Sequence, residues 1–87
     1  MHDVDDLCDL IARTLAETSA APPPEIVADT PLLVSGLLDS LTIMALVAAI
    51  DREAGVSLPE SEVVARNFRT PERLHAAVTR ARVEVTP

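Results

Sequence analysis

Eighty-seven residues, 48% of them hydrophobic and 24% charged, describe a globular chain with room for one small core. A formal charge of −7 argues against nucleic acid or an anionic membrane surface, both of which need a basic footprint. A lone cysteine excludes an intramolecular disulfide, and no apolar stretch approaches the roughly 18 residues that span a bilayer.

The start, "MHDVDD", is acidic and lacks the basic-then-apolar order of a secretory signal, so a cytoplasmic location is expected. Residues 1–40 hold eight acids against Arg13 alone, whereas residues 41–87 balance six acids with six arginines. The net charge therefore sits in the front half, where its field would steer in a basic partner. Phe68 is the only aromatic, so the core has to be built from Leu, Ile, Val and Ala.

Val4, Leu7, Cys8, Ile11 and Leu15 recur at helical spacing and predict a first helix over about 3–18. Asp3 can cap it, and Asp5 and Asp6 suit the positive end of its dipole. Cys8 lies on the apolar stripe and reads as a small buried hydrophobe. The prolines of "SAAPPPE" forbid continuation. A long loop, 19–39, follows, with the pairs Ile26-Val27 and Leu32-Leu33 expected to pin it to the core. Loops of this length in small domains are often functional.

Asp39 is placed to cap a second helix over about 40–54, with Gly55 as its left-handed stop. Ile43, Leu46, Val47, Ile50 and Ala54 form the expected inward stripe. Val56 and Leu58 dip inward next, and a short helix is expected over about 60–66. Thr70-Pro71 is a start signal for a last helix over about 71–83, whose inward face is Leu74, Ala77, Val78 and Ala81. The expected fold is all-α: a small four-helix bundle, three main helices plus one short one, forming a single domain over 1–87 with a long first loop. A monomer is expected.

The opposite side of the second helix carries Leu41, Met44, Ala45 and Ala48, with Arg52 closing the face one turn on. Apolar side chains in that position mark a contact site rather than a solvated face. The strip begins beside Ser40. An alcohol is a weak nucleophile without a base. The two histidines, His2 and His75, have no evident orienting carboxylate, and "LLDSLT" lacks the G-x-S-x-G elbow of a hydrolase. Ser40 does stand in the first turn of a helix, where the dipole and free amides stabilise a phosphate group. It reads as the acceptor of a modification, and no metal site is expected in the chain.

"GLLDSL" at 36–41, a long first loop and "GVSLPESEVVARNFRTPERL" at 55–74 together resemble the acyl and peptidyl carrier proteins. The resemblance spans nearly the whole chain. It implies an acyl-carrier-like fold and a 4′-phosphopantetheine on Ser40, installed from coenzyme A by a phosphopantetheinyl transferase. It further implies that Asp39 helps to bind the transferase's magnesium ion and that Leu41, Met44, Ala45 and Ala48 contact partner enzymes. Its function would be to hold cargo as a thioester and pass it from an adenylating ligase or acyltransferase to a condensing or transfer enzyme, without being an enzyme itself.

Fatty-acid carriers are acidic along this helix, but here the matching positions are Ala45, Asp51 and Arg52, which counts against the fatty-acid synthase set. The "SGLLDSL" and "NFRTP" segments are closer to freestanding D-alanyl and aminoacyl carriers and their secondary-metabolism relatives, which implies an amino-acid or unusual acyl cargo in polyketide or nonribosomal peptide biosynthesis, with a polyketide-type carrier as the alternative. The alternative from another class is a helical interaction module, or dimerising adaptor, that uses the exposed face alone.

Overall fold

The computed structural model describes residues 3–18, 25–34 and 36–85. The described residues form three α-helices, α1 (Val4–Thr18), α2 (Ser40–Ala54) and α3 (Pro71–Val85), and two 3-10 turns, η1 (Glu60–Glu62) and η2 (Ala65–Phe68). No strand occurs among the described residues. Helix α1 packs on both α2 and α3, and η2 packs on α3.

The ends of the helices follow local chemistry. Asp3 accepts a hydrogen bond from the Asp6 amide at 3.0 Å, capping α1. Asp39 has extended backbone and accepts from the Thr42 amide, while Gly55 closes α2 in the left-handed region with its N–H donating to Asp51 O. That φ of 68° favours glycine over any residue with a Cβ. Thr70 accepts from the Arg73 amide at 3.2 Å, and Pro71 begins α3 fully buried.

Where one short helix is expected over 60–66 there are two separate 3-10 turns, so the described residues hold the three main helices and two short turns in place of a fourth helix. Val63 (φ −86°, ψ 71°) and Val64 (φ −131°, ψ 155°) leave the helical region between the turns. Both valines are half-buried, Val63 is packed against the core, and β-branching lowers the preference of both for a further helical turn. Side chains hold the segment in place. Asn67, 5% exposed, donates through Nδ2 to Glu62 O at 2.8 Å and to Glu62 Oε2 at 3.0 Å, and Arg80 of α3 reaches Glu62 Oε1 at 3.2 Å. The Arg80 guanidinium, followed by the Asn67 amide, holds the Glu62 carboxyl below its ordinary range.

The core joins Leu7, Leu10, Ile11 and Leu15 of α1 with Leu46 and Ile50 of α2, Leu74 and Val78 of α3, and Phe68. Helix α1 touches two helices, so its buried band is wider than the expected stripe and takes in Leu10 and Thr14. Thr14 is accommodated because its hydroxyl donates to Leu10 O at 2.9 Å. Val4 is half-buried, at the band's edge. In α2 the burial centre is rotated from the expected one: Thr42, Leu46, Ala49 and Ile50 are buried, whereas Ile43, Val47 and Ala54 are half-buried. The rotation brings Glu53 toward α1, where Arg13 binds its carboxylate at 3.0 and 3.3 Å. All four expected inward residues of α3 are buried, as are Val56 and Leu58.

Candidate functional site

The site is assembled by the loop that precedes α2. Leu32 is fully buried, its N–H donates to Arg69 O at 2.9 Å, and its carbonyl accepts from the Leu37 and Leu38 amides at 3.1 and 3.2 Å. Glu72 N–H bonds Ala28 O at 3.0 Å, so the loop is fastened twice to the entrance of α3. Gly36, with φ 77°, turns the chain inside this closed bend. Leu38 is buried and delivers the chain to Asp39. Of the four residues expected to pin the loop, Leu32 is buried and Ile26 and Leu33 are partly buried, but Val27 is exposed. Val27 is committed instead to a tight turn: its N–H donates to Thr30 Oγ1 at 2.8 Å and its carbonyl accepts from Thr30 N–H at 3.1 Å.

Two residues after the Leu38 anchor, Ser40 opens α2 and is exposed. Its neighbour Asp39 accepts from the Thr42 amide at 2.8 Å, and the Asp39 carbonyl accepts from Ile43 N–H at 2.9 Å, closing the first turn. The Thr42 amide, and then the Thr42 hydroxyl, hold the Asp39 carboxyl below its usual range; the amides of Asp39 and Leu41 add to this. Partial desolvation opposes the shift without reversing it. The result is an exposed carboxylate and an exposed alcohol side by side at the positive end of a helix.

Beyond Ser40, Leu41 is 72% exposed and Met44 60%, while Ala48 and Arg52 are exposed and Ala45 is half-buried. At about 100° per residue these five fall within one sector of the helix, opposite the buried side centred near Leu46 and Ile50. Val34, 87% exposed, adds a further apolar side chain on the loop. Neither the N–H donor Thr42 nor the anchor Leu38 was among the expected site residues. An N-cap Asp accepts from the backbone N–H three positions on, so Asp39 is itself the sequence signal that points to the first.

The other chemically reactive groups lie elsewhere. A cleft of about 270 Å³ is lined by Asp6, Asp9, Leu10, Arg13 and Glu53. Glu53 is thirteen residues along α2 from Ser40, about 20 Å at 1.5 Å per residue. Cys8 is buried, and burial first, then Asp5, Asp9 and Asp3, push its thiol up. A neutral buried thiol is a poor nucleophile. His75 is half-buried in α3. No three His, Cys, Asp or Glu side chains among the described residues are grouped to hold a metal ion, and no described helix is long and apolar enough to cross a membrane.

A family model described as "Phosphopantetheine attachment site" matches residues 5–78. The chain is also 39% identical over 87 residues to the lincomycin biosynthesis protein LmbN of Streptomyces lincolnensis. That match takes in 100% of this chain and 30% of the relative, so the chain spans about a third of the relative's length. The family match includes all of α2 and most of α1 and α3. The chain belongs to the phosphopantetheine attachment-site family, whose members carry a covalently attached 4′-phosphopantetheine.

Proposed function

We propose that this phosphopantetheine-family chain is a carrier protein whose arm is attached to Ser40, and that it passes acyl or aminoacyl cargo between biosynthetic enzymes. The observation that carries the reading is the exposed Ser40 at the first residue of α2, directly after the ionised Asp39 cap. The hydroxyl is open to an incoming enzyme, and the positive end of α2 favours the phosphodiester that attachment creates. The arm supplies a terminal thiol that holds cargo as a thioester, activated for acyl transfer.

The chain's own residues position and present. Leu32 and Leu38 fix the backbone ahead of α2, and the Thr42 amide fixes Asp39. Asp39, held as a carboxylate, would help to bind the transferase's magnesium ion during modification. Leu41, Met44, Ala45, Ala48 and Arg52 form the face that partner enzymes read. Cys8, buried and protonated, does not compete with the arm's thiol for cargo. Catalysis is left to the partners: a phosphopantetheinyl transferase, an adenylating ligase or acyltransferase that loads the arm, and a condensing or transfer enzyme that unloads it. The similarity to a lincomycin biosynthesis protein supports a place in secondary metabolism, and with it an aminoacyl or unusual acyl cargo. The chain acts as a cytoplasmic monomer.

Incubating the folded chain with coenzyme A and a broad-specificity phosphopantetheinyl transferase tests the reading by mass spectrometry. The mass of one arm should appear in the wild type and not in Ser40→Ala. An unchanged wild-type mass, or a Ser40→Ala variant that still gains the arm, would overturn it. The exposed Leu41 and Met44 also suit an adaptor that needs no cofactor. That reading requires partner binding to persist in full in Ser40→Ala.

A further inference from the structure

The chain's seven cations are all arginines, set against fourteen acids. Arg13, Arg52 and Arg80 each lie within 4.0 Å of a carboxylate. Arg66, Arg69 and Arg73 do not: all three are exposed, and none forms an ion pair with a described residue. Arg66 is still close enough to Glu62 to help hold its carboxyl ionised. Arg69 and Arg73, on either side of the Thr70 cap of α3, have no such partner. Two exposed acids border this stretch, Glu72 and, beside the Glu72 N–H to Ala28 O bond, Asp29, and neither pairs with them. From 66 to 73, a chain of net charge −7 therefore shows three arginines against Glu72 alone.

The cationic stretch is fastened to the segment that delivers Ser40. Leu32 N–H donates to the Arg69 carbonyl at 2.9 Å, and the Leu32 carbonyl accepts from Leu38 N–H at 3.2 Å. Ser40 follows two residues later, so its backbone lies within about 17 Å of the Arg69 carbonyl. By their bond lengths, an arginine side chain extends about 6 Å and a 4′-phosphopantetheine on Ser40 roughly 18 Å. Together they span the gap with slack. At its root the arm would stand beside Asp39, an exposed carboxylate held in its charged form. Repulsion there turns a negative group on the arm away from Asp39, and Arg69 and Arg73 are unpaired cations within its reach.

We infer that Arg69 and Arg73 form a seat for an anionic group borne on Ser40, either the arm's own phosphodiester or a carboxylate on its cargo. The inference rests on the reading of Ser40 as the attachment residue and narrows what that residue carries. Guanidinium suits both anions, because its planar N–H donors bind two oxygens of a phosphate or a carboxylate at once. An uncharged acyl group, or an aminoacyl group whose only charge is its ammonium, gains nothing from the seat.

The test uses the full chain and a broad-specificity phosphopantetheinyl transferase supplied with coenzyme A, succinyl-coenzyme A or butyryl-coenzyme A, with mass spectrometry to count the arms installed. Succinyl and butyryl have the same number of carbons, but only succinyl ends in a carboxylate. If the cargo carboxylate is seated, the Nε–H resonances of Arg69 and Arg73 in an isotope-labelled chain should shift with succinyl and not with butyryl. If the phosphodiester is seated, its phosphorus resonance in the holo chain should move when Arg69→Gln and Arg73→Gln are combined. Either result supports the seat and names the anion. The effect should persist in Arg73→Lys, which keeps the charge, and vanish in about 1 M NaCl, where the screening length is about 3 Å. Equal arginine shifts with succinyl and butyryl, together with a phosphorus resonance indifferent to the double variant, would overturn the inference. A chain that takes no arm overturns the carrier reading and this inference with it, and its unchanged mass identifies that case before any resonance is read.

Discussion

If the loop before α2 sets the position of Ser40, removing its deepest anchor should destabilise the whole domain. Leu32 is fully buried and belongs to the same core cluster as Leu46 and Phe68. Leu32→Ala deletes three carbon groups, worth about 2.4 kcal/mol at roughly 0.8 kcal/mol each. A residual cavity adds to this and local collapse subtracts, so about 3 kcal/mol is expected, within the 2–5 kcal/mol usual for buried Leu→Ala changes. With an unfolding entropy of about 2.1 cal/mol/K per residue, that loss lowers Tm by roughly 15 °C. Urea titration followed by circular dichroism measures the first number and a thermal scan the second. Val34→Ala, two residues away but 87% exposed, is the control and should change stability by less than about 0.5 kcal/mol. A loss below about 1 kcal/mol for Leu32→Ala would show that the loop is not docked, and the account of how Ser40 is placed would fall.

Met44→Glu and Ala48→Glu should leave Tm nearly unchanged while slowing modification by the transferase or loading by the ligase; unfolding in either variant would mean that the side chain belongs to the core. Thr70→Ala removes the hydroxyl that caps α3 and should cost about 1 kcal/mol with modification intact, measured by urea titration and mass spectrometry. Stability should also depend on acid in a defined direction. Asp39 and Glu62 both have carboxyl pKa values depressed by folding, so their contributions are complete above the ordinary carboxylate value of about 4 and are lost as pH falls through the lower folded values. Urea midpoints between pH 6 and 2.5 should fall toward the acid end, and less so in a chain carrying Asp39→Asn and Glu62→Gln together.

The helices were legible because their signals are local. Caps at Asp3, Asp39 and Thr70, the stop at Gly55 and the spacing of apolar residues are all set within one or two turns. The exposed strip on α2 was legible by elimination, since one helix face must meet the core and the other residues must point away. What the sequence concealed depends on tertiary partners. Leu10 is buried because α1 has two neighbours, and Ala49 because α2 is rotated enough for Glu53 to reach Arg13. Val27 reads as an anchor by hydrophobicity alone, but the Thr30 hydroxyl claims its backbone for a turn. The break between the two 3-10 turns is hidden in the sequence because Val63 packs against a core that the local pattern does not show, and Val63 and Val64 leave the helical region there.

The clasp made by Glu62, Asn67 and Arg80 has a dynamic consequence. A helix protects its amides through a repeating ladder, but the stretch from Glu60 to Val64, ahead of the fully buried Phe68, has only an isolated turn and is tied down through Glu62. Its backbone protons should therefore trade with deuterium through a sub-global fluctuation that leaves α1, α2 and α3 intact. The η1 turn should open ahead of the core, while Phe68 and the helix bearing Ser40 stay packed.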